Sequence, residues 1–183
     1  IAYVKLGDAV NSVFVSTLKK YTEITEVSHT NIDSLNTELK KYDTVIIGFH
    51  KENKTWAKQD FKETEMFWLQ EIAKHNKVIL DVFTKPYSLL PITNFDDMEG
   101  LVVSYQNSDV SQIVSAELLF GAVEAKGKLP VSINNSFPVN YGLSIEKLNR
   151  LGFTAPENED MNPQILSKID SIAQKAIDGK MTP

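Results

Sequence analysis

The chain has 183 residues, 42% of them apolar, and a formal net charge of -5, enough to bury one sizeable core with a remainder too short for a second full domain. It contains no cysteine, which excludes disulfide scaffolds, thiolate metal sites and cysteine nucleophiles. Charges of both signs alternate closely between Lys51 and Lys77, so no basic stripe for nucleic acid forms, and no apolar run is long enough for a membrane span.

The chain opens on a strand-like run, Ala2 to Leu6, with no charged-then-apolar leader, as expected of an excised or processed segment. An amphipathic stretch from Ala9 to Lys20 follows, then a second strand candidate at Glu23 to Val27 and a second helix at Ile32 to Lys40. Thr44 to Phe49 and Val78 to Phe83 are continuous apolar runs, the pattern of parallel strands covered on both faces. Between them, Asp60 and Glu63 predict a capping-box start, and Phe61, Trp68, Leu69 and Ile72 share a helical face. A last β-α unit is predicted from Leu101 to Tyr105 and from Asp109 to Gly121, with Gln112 back-capping the helix and Gly121 stopping it. Leu129 to Ile133 is an edge-strand candidate, because Pro130 has no donor for a sheet interior.

The β-α rhythm predicts a three-layer α/β sandwich over residues 1–134: a flavodoxin-like, mostly parallel sheet with helices on both faces. Residues 135–161, rich in Asn, Pro and Gly, read as a linker. Residues 162–183 form a separate element. Asn162 caps it, Pro163 sits in its first turn, Ile165, Leu166, Ile169, Ile172, Ala173 and Ala176 make an apolar stripe, and Gly179 ends it.

Doubly wound sheets bind ligands beyond the C-terminal strand ends, which places the candidate positions at Gly7-Asp8, His50-Lys51-Glu52, Thr84 to Tyr87 and Tyr105 to Asn107. The first loop has one glycine, too few for a phosphate cradle, and the third strand ends in Phe49-His50 where a phospho-acceptor domain needs Asp. His50 and His75 each lack a second ligand at metal spacing, so no metal site and no cofactor is expected. Two Ser-x-x-Lys matches, at Ser16 and Ser144, lack the Lys-Thr-Gly element that would complete a serine hydrolase site. Trp56, Tyr87 and Tyr105 offer faces that pack on the C–H side of a pyranose; the alternative role of the two tyrosines is to anchor loops at the sheet edge.

Several motifs resemble one family: Pro86-Tyr87, Val102 to Tyr105, the Gln112 helix leading into Leu119-Phe120-Gly121, and Gly127-Lys128-Leu129-Pro130-Val131. Residues 1–134 resemble the C-terminal α/β domain of glycoside hydrolase family 3, most closely its β-N-acetylhexosaminidase-like branch. The tail, with Leu151-Gly152-Phe153, Pro156-Glu157, Met161 and the helix running to Met181-Thr182-Pro183, resembles the lead-in to a serine β-lactamase-like domain.

The resemblance implies a bacterial parent enzyme, periplasmic or on the cell surface, that hydrolyses β-linked amino sugars with retention. Its nucleophilic Asp and its acid/base pair would lie on an N-terminal barrel. The domain's partners are then that barrel and the parent's carbohydrate substrate, and the chain alone should be inactive with no catalytic residue of its own. His50, Glu52, Tyr87 and Tyr105 are the substrate-binding candidates. Two other readings stand beside this one. A free-standing flavodoxin-like binding or regulatory module would hold a ligand at the same loops. A β-glucosidase-type domain would use Glu52 as acid/base, although the Gly and Asp expected around such a Glu are absent.

Overall fold

A computed structural model of the chain describes residues 1–54 and 59–181, so Trp56, Thr182 and Pro183 lie outside the described residues. The chain divides into two compact units, Ile1–Arg150 and Leu151–Pro183.

The first unit is the expected α/β sandwich. Strands β1 (Ala2–Gly7), β2 (Thr25–Glu26), β3 (Thr44–His50), β4 (Lys77–Phe83) and β5 (Met98–Val103) form one parallel sheet in the order β2-β1-β3-β4-β5. Because side chains alternate along a strand, the apolar runs feed two cores at once. One face carries Val4, Leu6, Ile47, Phe49, Leu80 and Val82 against Leu35 and Leu39 of α2 (Ile32–Leu39) and Leu69 and Ile72 of α3 (Glu63–Ala73). The opposite face sets Tyr3, Ile46 and Phe83 against Phe14 and Leu18 of α1 (Ser12–Leu18) and Ala116 of α4 (Asp109–Leu119). Truncating any one of the fully buried leucines to alanine costs about 2–5 kcal/mol in such a core.

Local signals place the helix starts. Asn31 caps α2 by accepting from Ser34 N at 2.8 Å. α3 begins two residues later than the Asp60–Glu63 spacing predicts: Glu65 Oε2 accepts from Lys62 N at 2.8 Å, while Phe61 stays ahead of the helix, stacked on Phe49 at 3.6 Å between ring centroids. Gln112 does not back-cap its own helix. Ser108 caps α4, and Gln112 Oε1 instead accepts from Phe14 N at 2.9 Å, satisfying a first-turn amide of α1. Gly121 ends the segment at φ +74, as its position predicts.

Leu129 to Ile133 forms no strand. Leu129 N donates to Tyr141 O at 2.8 Å and Ile133 N to Phe137 O at 2.9 Å, so these residues pair with the segment that reads as linker. Ile133 is buried, and Leu129, Val131 and Phe137 pack against the core. The first unit therefore runs on to Arg150 rather than ending near residue 134.

The second unit contains α5 (Pro163–Leu166) and α6 (Lys168–Asp178), a break at Ser167 dividing what the periodicity predicts as one helix. Asn162 Oδ1 caps α5 through Gln164 N and Ile165 N. The stripe residues Ile165, Ile169 and Ile172 are exposed. No helix among the described residues is long and apolar enough to cross a membrane.

Candidate functional site at the strand ends

The sheet order reverses direction between β1 and β3, and their C-terminal ends bring the first and third loops together. Gly7 (φ +84) makes this possible: Asp8 N and Ala9 N both donate to His50 O, at 3.0 and 3.1 Å, and a Cβ at Gly7 would collide with that oxygen. Lys51 is only 4% exposed. Its Nζ lies 3.2 Å from Asp8 Oδ2 and 5.2 Å from the centroid of the Phe49 ring. Burial pushes the Asp8 carboxyl up, but the hydrogen bond and charge of Lys51 outweigh it and hold Asp8 below the usual carboxylate range.

Behind these loops lies a buried polar network on the α1/α4 face. His50 is fully buried, with Nε2 2.8 Å from Tyr3 Oη and Nδ1 2.7 Å from Asn107 Oδ1. Asn107 Nδ2 donates to Val10 O, which fixes its Oδ1 toward the imidazole, so His50 Nδ1–H donates there and Nε2 accepts the Tyr3 hydroxyl. Tyr3 Oη in turn accepts from Asn11 Nδ2 at 3.1 Å. Burial is the main cause that lowers His50 to about 4, against the opposing bond to Asn107, and burial likewise raises Tyr3. Both rings are therefore neutral at pH 7. Gly48 is what lets them meet: a Cβ there would intrude on both His50 Nε2 and the Tyr3 oxygen.

A second buried group stands beside this network. Asp81, in the middle of β4, accepts from Ser104 Oγ at 2.8 Å and from Ser115 Oγ of α4. Its burial is complete and outweighs those hydrogen bonds, raising the carboxyl to about 7. Ser104 anchors one side of the fifth loop and Asn107 the other. Between them Gln106 N donates back to Ser104 O at 2.7 Å around Tyr105 at φ +62, a γ-turn of the strained kind. Holding a tyrosine there costs about 1–3 kcal/mol. Tyr105 is 43% exposed.

Side-chain bridges tie the remaining loops together. Asn107 N donates to Asn53 Oδ1 at 3.0 Å. Gln59 Nε2 donates to Glu52 O and Lys54 O, while Thr84 Oγ1 donates to Gln59 Oε1. Glu52 and Tyr105 thus sit on loops joined through Asn53, and Tyr87 follows Thr84 on a loop joined to Glu52 through Gln59. Glu52 is exposed and paired with Lys54; Tyr87 is half exposed on the 3₁₀ turn Pro86–Leu89. Of the four candidates, Glu52, Tyr87 and Tyr105 face solvent, and His50 is buried with both ring nitrogens engaged.

Tyr3, Gln59 and Asp81 belong to the same constellation, although no motif marks them. Asp81 carries a visible signal, a carboxylate inside a run of strand apolars. Tyr3 and His50 are 47 residues apart and carry none. Among the described residues no group of three His, Asp or Glu side chains is placed to hold a metal ion. Compared with known proteins, the chain matches no family model, no curated protein and no solved structure.

Proposed function

We propose that the chain is the C-terminal α/β domain of a family 3 glycoside hydrolase of the β-N-acetylhexosaminidase-like branch. In this role it is a non-catalytic scaffold beside a barrel that carries the nucleophile and the acid/base pair. The parent acts on β-N-acetylhexosaminides at the periplasmic or outer face of a bacterial cell.

The observation that carries this reading is the direction of the strand-end chemistry. His50, Asn107, Gln112 and Gln59 all turn inward and hold loops, with His50 kept neutral and sealed from solvent. What the same loops turn outward is an ion-paired Glu52 and the aromatic rings of Tyr87 and Tyr105. A general base needs hydrogen-bond reach to a substrate proton, which a fully buried imidazole with two engaged nitrogens lacks. Exposed aromatic faces on a fixed platform suit sugar stacking instead.

The test is hydrolysis of a chromogenic N-acetylglucosaminide by the 183-residue chain and by the polypeptide extended upstream. The expected result is no turnover by the chain, turnover by the extended protein, and loss of that turnover on Tyr105→Ala. Turnover by the chain alone that disappears in Glu52→Gln overturns the proposal, as does tight binding of FMN at the same loops.

A further inference from the structure

Helix α4 reverses the usual polarity of a surface helix, which turns an apolar stripe to the core and polar or charged residues to water. Its polar side chains serve the interior: Gln112 Oε1 accepts from Phe14 N, Gln112 Nε2 donates to Val10 O, Ser115 Oγ donates to Asp81, and Glu117 is buried. Besides Asp109 in the first turn, the exposed residues of α4 are Val110, at 69%, and Val114, at 46%, with Leu118 half-buried one turn further on. Spaced four apart, these three form one ridge along the helix, of the kind that interlocks with a facing helix.

The two ends of the ridge differ in charge. Asp109 is exposed at the N-terminal end of α4. At the other end Phe120 stacks on Tyr21 with 4.9 Å between ring centroids, which sets the neighbouring Lys20 beside the end of the helix. Leu148 N donates to Gly121 O at 2.7 Å and brings Arg150 to the same end. Lys20 and Arg150 are exposed, whereas Glu117 is buried and Lys19 and Glu26 offset each other as an ion pair at 2.8 Å. The ridge therefore runs from an acidic end, through valine, to a basic end.

We propose that this ridge is the contact surface for a second copy of the chain, in a two-fold dimer whose α4 helices run antiparallel. With the axis at Val114, that residue meets its own copy, Val110 meets the partner's Leu118, and Asp109 faces the end that carries the partner's Lys20 and the partner's Arg150, each contact occurring twice. A parallel arrangement would set like charges against each other, and an anionic membrane surface fits less well because a carboxylate rims the valines. One helix-helix contact is at the small end of specific interfaces, so the expected dissociation constant is on the order of 10–100 µM. The dimer owes nothing to the glycosidase proposal: self-association of the chain and turnover by the extended protein fail separately.

The experiment is sedimentation velocity on the full chain from about 1 to about 300 µM at low salt, where the expected result is a monomer passing to a dimer. Val114→Lys sets two ammonium groups on the axis and should leave the chain monomeric with its urea midpoint unchanged. Ile169→Glu/Ile172→Glu, on the exposed stripe of α6, should dimerise as the unsubstituted chain does. Asp109→Lys and Lys20→Glu/Arg150→Glu should each dimerise about tenfold more weakly, since both charge contacts become repulsive. An equimolar mixture of those two variants should recover a heterodimer of the original affinity, because both contacts are then opposite in sign again, and the recovery also shows that both variants are folded. Dimerisation that survives Val114→Lys, loss of the dimer in the α6 variant, no recovery in the mixture, or growth beyond a dimer each overturns the proposal. So does a monomer at every concentration, and protection of α4 from amide exchange in the upstream-extended protein would then assign the ridge to the barrel.

Discussion

Replacing Asp81 with asparagine tests the electrostatics beneath the candidate site. The carboxyl rises from an ordinary value of 3.8 to about 7 because burial in β4 outweighs the bonds from Ser115 and Ser104. The folded state therefore holds this proton more tightly than the unfolded chain. The stability from that proton is complete below about pH 4, falls as the unfolded state deprotonates, and is gone above about pH 7. A rise of that size corresponds to about 4 kcal/mol.

His50 works in the opposite sense. Its folded value of about 4 lies below the ordinary 6.5, so its contribution is complete above pH 6.5 and is lost as pH falls toward 4. Between pH 4 and 6.5 the two slopes nearly cancel, and these groups leave the unsubstituted chain almost flat. Asp81→Asn keeps the shape and stays neutral, and its amide can still meet the two serine hydroxyls. Its expected stability matches the parent near pH 4, rises by about 1.4 kcal/mol per pH unit up to about 6.5, and exceeds the parent by about 3–4 kcal/mol at about pH 8. Urea unfolding at about pH 4.5, 5.5, 6.5 and 8 measures both profiles. Parallel profiles, or a less stable variant at the highest pH, would refute the reasoning.

Gly48→Ala should lose about 2–3 kcal/mol in the same urea assay, since the added methyl breaks the buried Tyr3–His50 bond and the gain from removing a strand glycine is smaller. Gln112→Leu strands the Phe14 amide and releases Val10 O and Asn107, so it should cost about 2 kcal/mol and speed amide hydrogen exchange at the start of α1. Tyr105→Gly relieves a left-handed backbone and should raise stability by up to about 1 kcal/mol while abolishing turnover by the upstream-extended protein; a fall in stability would show that the turn is unstrained.

What the sequence disclosed divides along a physical line. Strands β1, β3 and β4 and both core faces were legible because burial on two sides leaves long apolar runs, and Gly121 and Asn162 signalled their helix ends through local chemistry. Boundaries set by tertiary partners were not legible. β5 occupies Met98–Val103 rather than starting at Leu101, Gln112 serves α1 rather than α4, and residues 137–148 fold onto the first unit where their composition reads as linker. Each depends on a partner distant in the chain, which no local pattern encodes.

The same distinction decides how the candidate residues are interpreted. A histidine at the C-terminal end of a central strand suggests chemistry when only its own loop is in view. Its meaning changes once Tyr3, Asn107 and Gly48 surround it, because a neutral, fully bonded imidazole fixes loops and exchanges no proton near pH 7. Tyr105 follows the converse path. Nothing in its sequence context marks strain, yet Ser104 and Asn107 pin its two sides and force a left-handed tyrosine outward. Under the proposed scaffold role that strain holds the ring ready for an outside partner, so activity and stability should move in opposite directions when Tyr105 is replaced by glycine.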